Sequence, residues 1–447
     1  MTINRRLFLR SAGAVSLGVA ASAALAACGS DDETGGSPTV SANDVEGALA
    51  AGGTLTVWAW ETTLKQVVTA FQAKYPKVTV NLVNSGTGDK AYTALQNAIA
   101  AGKGVPDLAQ IEYYALPQFA LGKSLTDLSG FGAGSLDGTF TPGPWASVKS
   151  GGVTYGLPMD SGPMALFYNK KVFDKHGIAV PKTWDEYVAA ARKLHAADPK
   201  AYITSDTGDA GFTTSMIWQA GGKPFGVDGT NVKINLADDG SAKFATLWQQ
   251  LISEKLLSPV SGWSDGWYKG LGDGTIATLI IGAWMPANLE SGVAAAKGDW
   301  RVAPMPQWTA GGTATAENGG SSLAIPKLGA NQALAYGFMK FATVGEGAQI
   351  RVDNGAFPAT TAQISSDAFK NKEFPYFGGQ KANEILAASA AGVVPGWSYL
   401  PFQVYANSIF NDTVGKAYVS NTTLAEGLKS WQDASAKYGK EQGFTVS

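Results

Sequence analysis

Apolar and polar positions follow two periods along the chain, one typical of strands and one typical of helices. Residues 55–58, 78–82 and 107–111 have the pattern of strands. Residues 64–75 and 92–99, which separate them, carry apolar side chains at helical spacing. This βαβαβ opening predicts a mainly parallel sheet that helices cover on both faces.

The same alternation returns later in the chain. Residues 164–168 and 278–281 are apolar runs short enough for buried strands. Thr183-x-x-Glu186 is a capping box, in which the threonine accepts from the helix backbone and the glutamate accepts in return. Amphipathic helices are predicted over 183–197, 241–252, 331–341 and 423–438. The chain is therefore expected to have an α/β fold.

The N-terminus has the layout of an export signal. Arg5 and Arg6 precede an uncharged, apolar stretch over 11–27, which ends in small residues before Cys28. The paired arginines resemble a twin-arginine signal, and Leu-Ala-Ala-Cys resembles a lipobox, in which the cysteine is lipidated and becomes the mature N-terminus. Residues 1–28 are thus predicted to be a signal peptide, and the protein is predicted to be lipid-anchored on the outer face of the membrane. The alternative is an uncleaved transmembrane anchor, for which the stretch is short.

Residues 29–52 are rich in Gly, Ser and acidic side chains at their start, and we expect a flexible tether there. Cys28 is the single cysteine of the chain, so no disulfide forms within it. About 395 residues follow the tether, which is enough for two domains.

Composition limits the class of partner. Apolar residues make up 45% of the chain, charged residues 16%, and the net charge is −2. No basic face is evident, so nucleic acid is not an expected partner. The 13 tryptophans are many for this length, and they favour a flat ligand such as a sugar ring.

Motifs for catalysis and cofactors are incomplete. Gly262-x-Ser264-x-Gly266 matches a nucleophile elbow, but a poor strand precedes it, and both histidines, His176 and His195, lie upstream instead of downstream. Two histidines and one cysteine do not build a His-rich zinc site. No cofactor and no metal are expected.

Several short motifs together resemble family 1 extracellular solute-binding proteins of ABC importers, the group that includes maltose-binding proteins. The motifs occur over residues 55–61, 104–108, 155–158, 166–170, 181–186, 281–284 and 319–325. The resemblance implies a two-lobed periplasmic-binding-protein-like fold, each lobe a mainly parallel sheet flanked by helices. It also implies that solute binds between the lobes, that the cleft closes by a hinge motion, and that a membrane permease receives the solute.

Mapped onto this chain, the resemblance implies an N-lobe of 53–158 plus 279–320 and a C-lobe of 159–278 plus 321–447. The three crossings between the lobes are expected near Asp160, Leu279 and Ser321. The protein is expected to be a monomer.

The resemblance also implies residues that contact the solute, with aromatic faces for sugar rings and polar groups for hydroxyls. For the helix-borne aromatics a core position is the alternative, and for Glu61 a role at a helix N-terminus. The implied residues are Glu61, Thr87, Glu112, Tyr113, Asp160, Ser161, Phe212, Trp218, Trp284, Gly320, Ser321, Phe357, Trp397 and Tyr399.

The loop after the third strand reads Glu112-Tyr113-Tyr114 and departs from maltose-binding proteins, so maltose is not inferred as the ligand. The aromatic content favours an oligosaccharide. A competing hypothesis is a lipid-anchored glycoside hydrolase, which needs two carboxylates about 5–10 Å apart, drawn from Glu61, Glu112 and Asp160. An adhesion or scaffold protein is a third hypothesis, and it predicts no deep cleft.

Overall fold

The computed structural model of the protein describes residues 43–447. The predicted signal peptide, Cys28 and residues 29–42 of the predicted tether lie outside the described residues. Within the described part, no helix is both long enough and apolar enough to cross a membrane.

The described residues form fifteen strands, most of them short. In chain order they are β1 (Gly53–Trp58), β2 (Val78–Val83), β3 (Leu108–Glu112), β4 (Lys149–Ser150), β5 (Val153–Thr154), β6 (Gly156–Pro158), β7 (Met164–Asn169), β8 (Thr204–Ser205), β9 (Phe225–Asp228), β10 (Asn231–Ile234), β11 (Leu257–Ser258), β12 (Thr278–Gly282), β13 (Trp300–Ala303), β14 (Ser321–Ala324) and β15 (Thr445–Val446).

Nineteen α-helices cover these sheets in the described part of the chain. They are α1 (Val45–Ala51), α2 (Leu64–Lys74), α3 (Asp89–Ala101), α4 (Leu116–Leu121), α5 (Pro142–Ser147), α6 (Lys170–Lys175), α7 (Trp184–Ala197), α8 (Ala210–Gln219), α9 (Asp239–Ser253), α10 (Asp265–Asp273), α11 (Met285–Gly292), α12 (Gln332–Thr343), α13 (Glu346–Asp353), α14 (Thr361–Ser365), α15 (Asp367–Lys370), α16 (Ala382–Ala391), α17 (Gln403–Ser408), α18 (Lys416–Val419) and α19 (Leu424–Glu441).

The first lobe is built on a five-stranded sheet in the order β2-β1-β3-β14-β6. Strands β1, β2 and β3 pair in parallel, as the βαβαβ pattern predicts, and β14 runs antiparallel to both of its neighbours. The core beneath it joins Leu55 and Val57 of β1 to Phe71 of α2 and Phe338 of α12. The apolar faces that the periodicity marked are therefore the faces that this lobe buries.

The second lobe has a different sheet. Strand β7 lies at its centre, with β12 and β13 antiparallel on either side, and two further small sheets pair β8 with β11 and β15-β10-β9. The two-lobed α/β class is confirmed, but a mainly parallel sheet was expected in this lobe. A strand buried on both faces reads as a continuous apolar run in either orientation, so the pattern does not reveal the direction of pairing.

The predicted lobe boundaries need one exchange. Strand β12 pairs with β7 along its whole length, which places 279–320 largely in the second lobe instead of the first. Strand β14 pairs with β3, and α12 packs on the first-lobe core, so 321 to about 356 belongs to the first lobe. The error arises because a buried strand carries the same apolar pattern in either lobe.

Within the described residues, three segments connect the lobes. One passes Asp160 between β6 and β7, and another leads into β14 at Ser321. The third was predicted near Leu279, which instead lies within β12. It falls near Phe357 and Thr360, where Pro358 bridges to Asp160. The third crossing was predicted at the wrong place because β12 was assigned to the first lobe and β14 to the second, whereas each belongs to the other lobe.

The last part of the predicted tether is structured. Residues 45–51 form α1, whose N-cap Asp44 accepts a hydrogen bond from the Gly47 N–H. Leu49 is buried in the first-lobe core, and it packs so closely on Gly337 of α12 that a side-chain carbon there would lie 3.0 Å from it. The helix is held by tertiary packing, which a seven-residue segment requires because so short a helix is unstable alone.

Candidate functional site

A cavity of about 930 Å³ lies between the lobes. The first lobe contributes Gly88, Asp89, Glu112 and Tyr114 to its wall, and the crossing before β14 contributes residues 318–320. The second lobe contributes most of the rest from the loops after β8 and β11, the start of α8, strand β12 and the segment 399–419. Trp248, Trp267 and Trp284 complete the wall. The cavity adjoins the carboxyl end of β3, where α/β folds commonly bind ligands.

Three tryptophans of the second lobe form one side of this cavity. The Trp263 and Trp284 rings stack with centroids 5.7 Å apart and planes at 27°. Trp267 packs against Trp263 with centroids 4.9 Å apart. The Trp284 indole N–H donates to the Asn318 carbonyl at 2.7 Å, so this ring is fixed to a crossing. Trp263 is 50% exposed and presents apolar ring surface to the cavity.

Local sequence explains how these rings come together. Trp263 adopts a left-handed backbone with φ of 66°, and Ser264 after it caps α10 by accepting from the Trp267 N–H at 3.2 Å. Trp284 stands directly after β12 at the start of α11. The Gly-x-Ser-x-Gly stretch is therefore a helix cap that places an aromatic ring, and not a nucleophile elbow.

Two aspartates stand on the second-lobe side. The Asp206 carboxylate accepts from the Trp248 indole N–H at 2.7 Å, from the Tyr418 hydroxyl at 2.8 Å and from the Gly208 N–H at 2.9 Å. Burial raises the pKa of Asp206 to about 6. Asp209 caps α8 by accepting from the Phe212 N–H at 2.6 Å, and burial raises its pKa as well.

Glu112 faces them from the first lobe, at the end of β3. Its carboxylate accepts from the Tyr92 hydroxyl at 2.7 Å, and its own N–H donates to the same hydroxyl at 3.0 Å. Burial raises the pKa of Glu112 to about 7, although the Tyr92 and Tyr114 hydroxyls oppose the shift by hydrogen bonding to the ionised form. This acid is held rigidly beside the cavity by an aromatic hydroxyl.

Two glycines allow the crossing to reach the cavity. Gly319 and Gly320 have φ of 80° and 99°, which disfavours other residues. A side-chain carbon on Gly320 would lie 2.6 Å from the Tyr113 ring, and one on Gly319 would lie 3.0 Å from the Trp284 indole nitrogen. The turn therefore exposes backbone to the cavity at a place that cannot hold a side chain.

The structure brings five of the predicted site residues to this wall, one from each of five separate segments. They are Glu112, Phe212, Trp284, Gly320 and Tyr399.

Four other predicted residues lie behind the wall, where they join the crossings. The Tyr113 hydroxyl donates to the Asp160 carbonyl at 2.6 Å, and the Asp160 carboxylate accepts from the Ser321 N–H at 2.6 Å. The Ser161 hydroxyl donates to the Glu317 carboxylate at 2.9 Å, and burial raises the pKa of Glu317 to about 7. Tyr113, Ser161 and Ser321 are buried, Asp160 is half-buried, and all four are already hydrogen-bonded, so they position the crossings and are not part of the cavity wall.

Glu61 is also absent from the wall. Its carboxylate pairs with the buried Arg351 guanidinium at 2.9 Å, which in turn donates to the Met159 carbonyl. The pair ties the loop after β1 to α13 and to the first crossing. With Asp160 behind the wall as well, Glu112 is the one member of the proposed carboxylate set that reaches the cavity.

Trp218 and Trp397 line a second cavity of about 740 Å³ instead. Their rings stack with centroids 5.0 Å apart and planes at 6°, and the Trp218 indole N–H donates to the Val394 carbonyl at 2.6 Å. Phe357 is buried in the second-lobe core beside Phe369, and Thr87 is exposed next to the wall residue Gly88. Trp218, Trp397 and Phe357 therefore pack within the second lobe and do not line the main cavity.

Several wall residues escaped the sequence analysis. Trp263 lay in a stretch that was tested only as a nucleophile elbow, and its position before a helix cap was the available signal. Asp206 follows β8, a two-residue strand too short for alternation to detect. Gln403, Asn407 and Asn411 reach the wall from α17 and the loop after it, and nothing local distinguishes them from surface amides.

No group of three or more His, Cys, Asp or Glu side chains within residues 43–447 is placed to bind a metal ion.

Comparison with known proteins points to one family. The family model described as bacterial extracellular solute-binding protein matches residues 59–349. An arabinooligosaccharide-binding protein of Bacillus subtilis (strain 168) is 29% identical over 290 residues, which are 63% of this chain and 66% of that protein. A lactose-binding protein of Rhizobium radiobacter is 25% identical over 410 residues, 86% of this chain and 92% of that protein.

Solved structures that resemble this chain include binding proteins of ABC transporters. The ABC transporter-associated binding protein of B. animalis subsp. lactis Bl-04, in complex with β-1,6-galactobiose, is 49% identical with a TM-score of 0.81, over 88% of this chain and 99% of that one. The galacto-N-biose-/lacto-N-biose I-binding protein of Bifidobacterium longum, in complex with lacto-N-biose, is 26% identical with a TM-score of 0.78, over 89% and 99%.

Proposed function

The chain belongs to the family of bacterial extracellular solute-binding proteins, and from that premise we propose that it captures an oligosaccharide in the cavity between its lobes. Members of this family bind solutes for ABC transporters and are not enzymes, so the glycoside hydrolase hypothesis is set aside. The observation that carries the proposal is the group of three packed tryptophans on a cavity wall that also holds carboxylates.

Each part of the wall suits one part of a sugar. The C–H face of a pyranose ring stacks on Trp263 or Trp284, where apolar surface is open. The Glu112 carboxylate accepts hydrogen bonds from hydroxyl groups, and the amides of Asn407 and Asn411 donate to them or accept from them. A cavity of about 930 Å³ is large enough for two or more rings, which favours an oligosaccharide over a monosaccharide.

Solute capture is coupled to delivery by lobe movement in this proposal. A sugar that contacts Glu112 on one lobe and Trp284 on the other bridges them, and it therefore stabilises the closed arrangement. The permease of an ABC importer then receives the sugar from the closed, monomeric protein. Lipidation at Cys28, after export by the twin-arginine route, keeps the binding protein beside that permease.

A thermal-shift screen of purified protein against a sugar panel tests the proposal. The panel contains β-1,6-galactobiose, lactose, lacto-N-biose and arabino-oligosaccharides, with maltose as a comparison sugar. We expect at least one oligosaccharide to raise the melting temperature, because a ligand at 100 times its Kd adds about 2.7 kcal/mol of stability. Isothermal titration calorimetry then gives the affinity, and chromatography shows whether the sugar is recovered intact.

Two outcomes would contradict the proposal. Release of new reducing ends from a bound oligosaccharide would indicate hydrolysis. Absence of a shift with every sugar, in a protein that unfolds cooperatively, would indicate a solute of another class.

A further inference from the structure

On the described wall of the main cavity, the side chains that can carry a charge near neutral pH are all acidic. Asp89 and Glu112 stand on the first-lobe side, and Asp206 and Asp209 stand on the second-lobe side. Among the described residues that line the cavity there is no lysine, arginine or histidine. A solute that enters therefore meets carboxylates from both lobes and no basic side chain of residues 43–447 on the wall.

The basic residues nearest in the fold or the sequence do not alter this balance. Arg351 is buried behind the first crossing, where Glu61 accepts from its Nε and the Met159 carbonyl from its Nη1; its Nη2 has no partner but is buried as well, and Arg351 is not part of the wall. Lys90 and Lys416 follow wall residues in the chain, but both are exposed and neither is part of the wall. No counter-ion for an anionic solute is available from these groups.

Helix N-termini are the other feature that attracts anions, because their free N–H groups carry partial positive charge. Two helices that begin at the wall, α8 and α3, carry acids at their N-termini. The N-terminus of α8 is already capped by the Asp209 carboxylate, and the first turn of α3 carries Asp89. At these two N-termini the chain's own acids stand where the backbone would otherwise accept a negative group.

From this arrangement we propose that the cavity selects its sugar by charge, accepting neutral or amine-bearing oligosaccharides and rejecting those that carry a carboxylate, sulfate or phosphate. This inference rests on the proposed function and narrows its ligand class. Burial of an anion without a cationic partner is costly, and like charges placed together across an interface add to the cost. Neutral hydroxyls and ammonium groups, by contrast, donate hydrogen bonds that the wall carboxylates accept.

The test uses three sugars that differ at one exocyclic carbon. They are the neutral oligosaccharide with the largest thermal shift, its uronate, and its uronamide, which has the shape of the uronate without the charge. At about pH 8 both Glu112 and Asp206 are ionised, because their pKa values are about 7 and 6. We expect the uronate to bind at least about 100-fold more weakly than the uronamide in calorimetry.

Variants show whether the wall carboxylates cause the difference in affinity between the uronate and the uronamide. The double variant Asp89→Asn with Glu112→Gln should bring the affinities of uronate and uronamide at least about 10-fold closer together. Asp228→Asn removes one exposed charge from β9, outside the wall, and should leave the ratio unchanged. The measured quantity is a ratio, so a general loss of sugar affinity in the double variant does not affect it.

Each outcome decides the matter. Equal affinity for uronate and uronamide would overturn the charge selection while leaving sugar binding intact. An affinity ratio of uronamide to uronate that is unchanged in the double variant would also overturn it, since the wall carboxylates would not be the cause. If no neutral sugar binds, the proposed function fails and this inference fails with it.

Discussion

Two groups of tryptophans in the second lobe differ in what their rings contact. Trp263, Trp267 and Trp284 pack at tilted or offset angles beside the main cavity, and Trp263 keeps half of its surface exposed. Trp218 and Trp397 stack almost parallel at the second cavity, and Trp218 is only 4% exposed. In the first group Trp267 is buried, but Trp263 and the half-buried Trp284 keep open ring surface for a ligand, whereas in the second group the facing ring surfaces cover each other.

The difference shows why a tryptophan count indicates a ligand only in part. Both groups have the same chemistry and occur in similar loop or helix contexts. A ring covered by another ring stabilises the fold, while a ring half covered and aimed into a cavity is available for stacking. Substitutions at the two groups should therefore separate stability from affinity.

The largest effect is expected on stability at the covered pair. Trp218→Ala should lower the free energy of unfolding by about 3–5 kcal/mol, because it removes a buried ring and leaves a void next to Trp397. Sugar affinity of the folded protein should stay within about threefold of the parent, since Trp218 is not on the main cavity wall. Urea denaturation measures the first quantity and calorimetry the second.

Trp218→Phe is the matched control, since it retains an aromatic ring in the stack and should recover most of the lost stability. A large loss of sugar affinity in Trp218→Ala, measured where the variant is fully folded, would make the covered pair part of the binding site.

The next largest effect is expected on affinity at the open group. Trp263→Gly should weaken sugar binding by about 1–3 kcal/mol through loss of a stacking surface. Stability should change by less than about 1 kcal/mol, because the lost contact with Trp267 is offset by relief of the left-handed backbone at position 263. Calorimetry and urea denaturation on the same preparation give both values.

Trp263→Phe retains a flat ring at the same strained position and should keep most of the affinity. Unchanged affinity in Trp263→Gly would remove Trp263 from the site, and the contrast between the two groups would then rest on Trp284 alone.

The smallest effect is expected at the acids beside the two cavities. The pKa of Glu112 is raised to about 7 in the folded protein, so the folded state holds this proton more tightly than the unfolded state does. Its contribution to stability is therefore greatest at low pH and is lost as the pH rises from about 4.5 through 7. Glu112→Gln should remove this dependence and be more stable by about 1–2 kcal/mol near pH 8, less than a fully enclosed acid would give.

The same variant should bind sugar more weakly, so stability and affinity would change in opposite directions. Glu384→Gln is the control, because Glu384 is exposed beside the second cavity and should affect neither quantity. Denaturation midpoints between pH 5 and 8 compare the three proteins. A Glu112→Gln variant that loses stability near pH 8 would show that the ionised carboxylate stabilises the fold.

Sequence patterns located many of the elements correctly. The βαβαβ opening is present in the first lobe, and the capping box at Thr183 forms as predicted, with both of its hydrogen bonds. These features depend on residues close in sequence, since periodicity and capping are local. The resemblance also placed Glu112, Trp284 and Gly320 at the wall, each beside the end of a recognisable strand.

The local sequence pattern could not show to which lobe β12 and β14 belong. Strands β12 and β14 are both short and apolar, and only their partners assign one to each lobe. Trp218 and Trp284 read alike in the sequence, but one ring meets Trp397 and the other meets a cavity.

The sequence by itself determined the α/β class, the order of the elements, and a chain rich in aromatic side chains with little net charge. The tertiary structure decided which strands share a sheet, which aromatic rings stay open, and that four acidic residues line one cavity to which the described part of the chain contributes no basic side chain. The physical reason is that burial and periodicity are recorded residue by residue, whereas pairing and enclosure depend on segments distant in the chain.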